Sequence, residues 1–324
     1  MNQPGEGQPQ AAPQGSEHQL PADQGCDDQP LAGPSCADQF SNVGEVMLRA
    51  EEAVADGEQA AVEDAARSGT ASAKVSAALR VIHGTPDVNN EFPYVVSLET
   101  YRQLNINWKI YRVCSGSLVT ANWVLSAAHC LVPAVQVIRY GDMTVERNAT
   151  DSINQVIKMF PHPNYKIMLT PPVMLVNDIG LALVEKVPVS PGKLSAVDYK
   201  GLIGFEVRYA GFGLTHEKEH MYNKQNMEKD NMKPLQVGMG VVIICPTIDY
   251  TWNPGVCVAP KCSNKHHQPL PGDSGGPLFF DGKIVAVASG DFGSSITIHT
   301  PVSPYLIWIN DVITKESHHV RINS

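Results

Sequence analysis

The chain has 324 residues and carries 33 Asp and Glu against 24 Lys and Arg, a formal charge of −9. Residues 1–80 hold 13 of the acids and 4 of the bases, so the whole imbalance sits in the first quarter and residues 81–324 are neutral. A neutral body excludes the basic surface excess that nucleic acid demands. No apolar run reaches the ~18–20 residues of a membrane-spanning helix.

Residues 1–42 are rich in Gln, Pro and Gly, and Phe40 is the one aromatic before residue 81. So little apolar surface cannot offset the entropy of ordering, which predicts a largely disordered acidic leader over 1–80. Within it, Val46, Leu48, Val54 and Val62 offer only a thin apolar face, and a solvated, partly helical segment is expected over 44–66. The leader ends in small and polar residues and then Arg80. Beyond it, short β-type runs recur between turn signals. They are Tyr94–Leu98, Cys114–Val119, Trp123–Leu125, Val135–Tyr140 and Ile179–Val184, then Val207–Tyr209, Val237–Ile244, Pro277–Phe280, Ile284–Ala288 and Ile296–Thr300. That spacing predicts an all-β sandwich or pair of barrels. Leu306, Ile309, Val312 and Ile313 recur at helical spacing and predict a closing helix over Val302–Thr314, with a polar tail over 317–324.

The chain has seven cysteines, Cys26 and Cys36 in the leader and Cys114, Cys130, Cys245, Cys257 and Cys262 in the body. Their spacings lack the paired Cys-x-x-Cys clusters of a zinc site, so disulfides and an oxidising compartment are expected. An odd count leaves at least one without an intrachain partner. Asn148-Ala149-Thr150 is a glycosylation sequon and agrees with secretion. Met1-Asn2-Gln3-Pro4-Gly5 lacks the basic start and apolar core of a secretion signal, which is read as removed or left out.

Chemistry concentrates in Gly272-Asp273-Ser274-Gly275-Gly276. A serine flanked by glycines on a tight turn suits a nucleophile, because a substrate carbonyl can approach and backbone N–H groups can meet the oxyanion. The string also satisfies the Gly-x-Ser-x-Gly elbow of α/β-hydrolases, which needs an acid and then a histidine after the serine. Only His299, His318 and His319 follow Ser274. Upstream stand Ser126-Ala127-Ala128-His129-Cys130 and Asn177-Asp178-Ile179-Gly180-Leu181. The order His, Asp, Ser is the chymotrypsin order.

In these motifs and their order the chain resembles the trypsin/chymotrypsin-like serine peptidases from about residue 81 to 316. Arg80-Val81-Ile82-His83-Gly84 matches an activation junction, Phe92–Leu98 the first strand, and Trp308-Ile309 the final helix. The resemblance implies two antiparallel six-stranded β-barrels with the site between them and a C-terminal helix. It implies disulfides Cys114–Cys130 and Cys245–Cys257, His129 as general base, Asp178 as its orienting carboxylate and Ser274 as nucleophile. The N–H groups of Gly272 and Ser274 would form the oxyanion hole. Ser289 matches the strand serine that contacts the aspartate and the substrate backbone. The expected activity is a serine endopeptidase made as a zymogen, activated by cleavage after Arg80 so that the Val81 ammonium pairs with Asp273. Protein or peptide substrates, an activating protease and protein inhibitors are the expected partners, with no cofactor. A non-catalytic homologue that binds a partner is the alternative.

The departures gather around the specificity pocket. Leu270 stands where the family has a bridging cysteine, and no cysteine follows Cys262. Gln268 occupies the trypsin pocket-aspartate position, Asp291 replaces a wall glycine and Thr297 narrows the base, so ordinary trypsin specificity is not expected. Gly290 replaces an aromatic platform, Phe212 a tryptophan and His83 a glycine. His216-Glu217-Lys218-Glu219-His220 matches the His-Glu-x-x-His zinc-peptidase pattern, yet it lies in a run of charged, Met and Asn residues without an apolar helical face. Metal catalysis is therefore not expected there, and Tyr140–Thr150 lacks the spaced carboxylates of a calcium loop.

Overall fold

The computed structural model describes residues 84–104, 107–168, 174–213, 232–246, 251–261, 272–291 and 296–322, all within the unit Cys36–Ser324. The leader, the Arg80–Val81 junction, Cys262, Gln268 and the His216–His220 pattern lie outside the described residues. In chain order the first strands are β1 (Thr85–Pro86), β2 (Val95–Leu104), β3 (Asn107–Thr120), β4 (Trp123–Ser126), β5 (Val137–Arg139), β6 (Ile153–Pro161), β7 (Lys166–Met168) and β8 (Met174–Val176). They continue as β9 (Gly180–Val184), β10 (Glu206–Gly211), β11 (Gln236–Ile243), β12 (Thr251–Asn253), β13 (Val256–Pro260), β14 (Pro277–Phe280), β15 (Lys283–Asp291) and β16 (Thr297–Pro301).

Six of them close into a first antiparallel barrel in the order β2-β3-β4-β9-β6-β5. A second antiparallel ring runs β11-β10-β14-β15-β16-β13 and closes where β13 returns to β11, with Ile243 opposite Cys257. β1 adds to the outer side of β11. Both expected disulfides, Cys114–Cys130 and Cys245–Cys257, are formed.

Side-chain alternation explains why some strands read as unbroken apolar runs. Val96, Leu98, Leu118, Val124, Ile138, Ala182 and Val184 fill the first barrel. The alternate residues Val95, Trp123, Leu125, Leu181 and Leu183 face outward, into a cluster with Phe212, Phe279, Tyr305 and Ile309. β4 and β9 are therefore covered on both faces, and all their residues are buried. Truncating a fully buried Leu125 to alanine is worth about 2–5 kcal/mol of stability.

A 3-10 turn at Ser303–Tyr305 leads into α1 (Leu306–Ile322). Its apolar residues Leu306, Ile309, Val312 and Ile313 pack on the outward cluster. The helix outruns the predicted end at Thr314, with no Gly or Pro in 315–322 to stop it, and within it Ser317 Oγ donates back to the Ile313 carbonyl at 2.7 Å.

Several strands were not foreseen. β6 carries Asn154 at a buried position, where its Nδ2 donates to the carbonyls of Glu185 and Lys186 at 3.2 and 3.0 Å. That polar residue breaks the alternation that would have marked the strand. β7, β8 and β12 form a separate three-stranded sheet, in which β8 pairs antiparallel with β7 and parallel with β12. Each is three residues long, and the β8–β12 pairing joins distant parts of the chain.

Candidate active site

His129 sits in a 3-10 turn, Ala128–Cys130, directly after β4, and Asp178 lies just before β9, the neighbour of β4 in the barrel. The pairing Ser126↔Gly180 brings the two segments side by side. Asp178 is 1% exposed. It accepts from the backbone N–H of His129 at 2.9 Å, and its Oδ2 lies 2.7 Å from His129 Nδ1. Ser289 Oγ donates to the same Oδ2 at 2.5 Å. A buried carboxylate with three donors is held in one orientation, and it dictates that the imidazole carries its proton on Nδ1. Burial pushes the His129 imidazole down, but the charge of Asp178 and the hydrogen bond to it outweigh burial, and the net shift is upward. The His129 side chain keeps 22% exposure.

The Asp178 segment has supports that sequence reading passed over. Asn177 takes a left-handed backbone (φ 55°), which asparagine tolerates better than most residues. Its Oδ1 accepts from Tyr305 Oη at 2.8 Å, and its Nδ2 donates to the Asn164 carbonyl at 2.9 Å. The residue preceding Asp178 is thus anchored to the turn that opens the closing helix.

Ser274 lies on the turn between the second barrel's β14 and its preceding loop. Its carbonyl accepts from Ser115 N–H of β3 at 2.8 Å, tying the turn to the first barrel. Gly275 N–H donates to the Ala288 carbonyl at 2.7 Å, and Gly276 N–H to the Asp273 carbonyl at 2.9 Å. Gly275 has φ +76°, and a Cβ there would lie 2.0 Å from Ser126 Oγ, so the position takes only glycine and presses the turn against the strand that leads to His129. No described residue accepts from the amides of Gly272 or Ser274. Two N–H groups without an acceptor among the described residues, side by side on a tight turn, are the kind of donors that can meet a developing oxyanion. Ser274 itself is brought next to the His129 segment, but no hydrogen bond joins its hydroxyl to His129 among the described residues. His129 Nε2 lies instead 3.6 Å from Cys130 Sγ. Catalytic hydrogen bonds are often long or misaligned in free enzymes and tighten once substrate is bound.

Asp273 is 3% exposed, and its Oδ1 accepts from Gly213 N–H at 2.7 Å. A Cβ on Gly213 would sit 2.5 Å from the Asp273 carboxyl carbon, so a bare backbone is needed for this approach. Of the expected pocket residues, Thr297 is buried opposite Asp291 in the β15–β16 register, two positions beyond Ser289. His299, given no role in the sequence reading, is the neighbour of Thr297. It is fully buried beside Thr297, with Nε2 3.0 Å from Thr297 Oγ1, and burial alone pulls its imidazole down to about 3. Its signal was a histidine inside an apolar strand pattern, Ile298-His299-Thr300.

Among the described residues, the one His/Cys/Asp/Glu grouping close enough for a shared metal is Cys114, His129 and Cys130. Both sulfurs are spent in a disulfide and His129 Nδ1 is committed to Asp178, so the group has no thiolate to offer.

The Trypsin family profile matches residues 81–309. The chain is 26% identical to mast cell protease 3 of Ovis aries over 244 residues, covering 71% of this chain and 88% of that protein. It is 29% identical to granzyme M of Rattus norvegicus, covering 74% and 91%, and 29% identical to chymotrypsin-like elastase family member 1 of Canis lupus familiaris, covering 72% and 92%. With two closed six-stranded barrels and a family match over most of its length, the chain belongs to the trypsin family.

Proposed function

We propose that this chain is a serine endopeptidase that works through His129, Asp178 and Ser274. The observation that carries this reading is the hydrogen-bonded run Ser289–Asp178–His129 beside the Gly272–Gly276 turn, whose Gly272 and Ser274 amides have no acceptor among the described residues. His129 Nε2 takes the Ser274 proton as Oγ attacks the scissile carbonyl. The tetrahedral oxyanion is met by the two amides, a contribution of about 3 kcal/mol per donor. Collapse breaks the C–N bond, and His129 returns the proton to the leaving amine, which leaves an acyl-enzyme. Water then repeats the sequence from the same base. Asp178 holds the imidazole in its tautomer and stabilises the imidazolium.

Activation by cleavage after Arg80, with the Val81 ammonium meeting Asp273, belongs to the same reading. The burial of Asp273 and its approach to the Gly213 backbone support it, since they place a carboxylate in the interior next to Ser274. Asp291, Thr297 and Ser289 line the substrate side of β15 and β16 in this reading, with Gln268 as a further pocket residue. Substrates are proteins or peptides, and protein inhibitors are natural partners of such a cleft. The oxidising compartment implied by two disulfides fits a secreted enzyme.

A second reading, a non-catalytic homologue that binds a partner, draws on the lack of a hydrogen bond between the Ser274 hydroxyl and His129 among the described residues. Fluorophosphonate labelling of the Arg80-cleaved chain tests between them. Labelling that disappears in Ser274→Ala, with turnover falling by about 10⁶-fold, is expected. No labelling after verified cleavage would favour the binding homologue.

A further inference from the structure

Ser115 follows the disulfide residue Cys114 on β3 and is fully buried at the meeting of the two barrels. Every polar group it owns is engaged. Its N–H donates to the Ser274 carbonyl at 2.8 Å, and its carbonyl accepts from Ser126 Oγ at 2.8 Å. Its hydroxyl accepts from Phe212 N–H at 2.9 Å and donates to the Gly272 carbonyl at 2.8 Å. The next amide along, Gly213 N–H, donates to the Asp273 carboxylate. One side-chain oxygen therefore connects the strand end that holds Asp273 to the glycine whose amide opens the oxyanion hole.

From this geometry we infer that Ser115 is a positioning residue for the oxyanion hole, acting through Gly272. The inference rests on the serine-peptidase reading of the same site. At that end of the Gly272–Gly276 turn, the Ser115 hydroxyl holds the Gly272 carbonyl and Gly213 N–H holds the Asp273 carboxylate. Neither described disulfide reaches it, because Cys114–Cys130 lies within the first barrel and Cys245–Cys257 joins the end of β11 to β13. Gly272 has φ +97°, a region in which glycine has no side chain to restrict it. Its orientation is set by what its carbonyl bonds to, and that partner is the Ser115 hydroxyl. If the carbonyl is released, the adjoining amide loses its aim at the developing oxyanion, where hydrogen-bond strength depends on alignment. Ser115 does not touch His129 or Asp178, so its effect falls on the oxyanion and leaves the base untouched.

The test uses the full chain cleaved after Arg80, assayed on a peptide pool and then on the best-cut peptide. Ser115→Ala is expected to lower kcat by about tenfold to a hundredfold with KM changed by less than about twofold. The acid limb of the pH–rate profile stays where it is in the unsubstituted chain. Ser115→Gly is the second variant. By removing the CH2OH group it leaves room for a water to sit between Phe212 N–H and Gly272 C=O, and it is expected to recover at least about half of the lost kcat. Near-UV circular dichroism and melting temperature report folding for each variant. Equal slowness of the two variants at unchanged melting temperature would trace the loss to packing and overturn the bridge. A shifted acid limb would mean that the effect runs through His129, and it too would overturn the assignment. Turnover abolished by Ser274→Ala but unaffected by Ser115→Ala removes the Ser115 role alone. An unsubstituted, cleaved chain with no turnover removes both readings together.

Discussion

Ser289 Oγ donates to Asp178 Oδ2 at 2.5 Å, so a strand residue of the second barrel completes the hydrogen bonding of a carboxylate on the first. The two barrels are thereby joined at the group that orients His129. Replacing Ser289 with alanine leaves Asp178 with only the His129 donors. A hydrogen bond to a charged group is worth about 1.5–3 kcal/mol, so Ser289→Ala is expected to cost roughly tenfold in kcat. Pre-steady-state kinetics checks this, since the loss should fall on the acylation step. An unchanged acylation rate would sink the role.

The upward shift of His129 sets the pH dependence. In the proposed mechanism the base works only when neutral, so activity is expected to rise as pH climbs through a value above the ordinary 6.5 of histidine. Asp178→Asn removes the charge that outweighs burial, so the ring should titrate below 6.5, and turnover should fall by roughly 10⁴-fold as the tautomer is lost. Proton NMR of the His129 ring across pH measures both forms. A wild-type midpoint at or below 6.5 would contradict the assignment.

His299 makes stability acid-sensitive. Folded, it is held near 3 by burial, while the unfolded chain's imidazole titrates near 6.5. Between those values the unfolded state binds the extra proton. The stability this group contributes is therefore complete above about 6.5 and is lost as pH falls toward 3. On the order of 3 kcal/mol should disappear between pH 7 and pH 4. His299→Phe should flatten that slope, as read from urea unfolding at the two pH values. The same slope in both proteins would show that the imidazole is not buried as described.

Glu99 is fully buried on β2 and is gripped by Arg147, with Nε at 3.0 Å from Oε2 and Nη2 at 2.7 Å from Oε1. Ser97 Oγ donates to Oε1 at 3.2 Å, and Arg112 Nε lies 3.7 Å from it. The pair pins the turn that follows β5. Glu99→Gln removes the anion and leaves buried guanidinium charge, which should cost about 3 kcal/mol. Differential scanning calorimetry is the check, and a fall in melting temperature of roughly 6–12 °C is expected for a domain this size. A change under a degree would mean that Arg147 relaxes into water and the pair holds nothing.

Much of this protein was legible along the chain. Motifs such as Gly272–Gly276 and Ser126–Cys130 are local, because a tight turn and a nucleophile impose their residue types within a few positions. Strands with one buried face or two announce themselves by alternation or by apolar runs, as β4, β9 and β14 do. The order His129, Asp178, Ser274 by itself separates one hydrolase architecture from another. What the tertiary structure alone decided is every relationship whose partners are far apart in sequence. The parallel pairing of β8 with β12, the grip of Arg147 on Glu99 and the insertion of Asn154 into a barrel wall leave no periodic trace. Ser115 is the clearest instance. In the sequence it is one of two serines in Cys114–Ser117, and only closure of the two barrels sets its hydroxyl between Phe212 and Gly272. Local patterns record what each segment must bury, whereas the partner of a buried polar atom is fixed by packing, and packing is long-range.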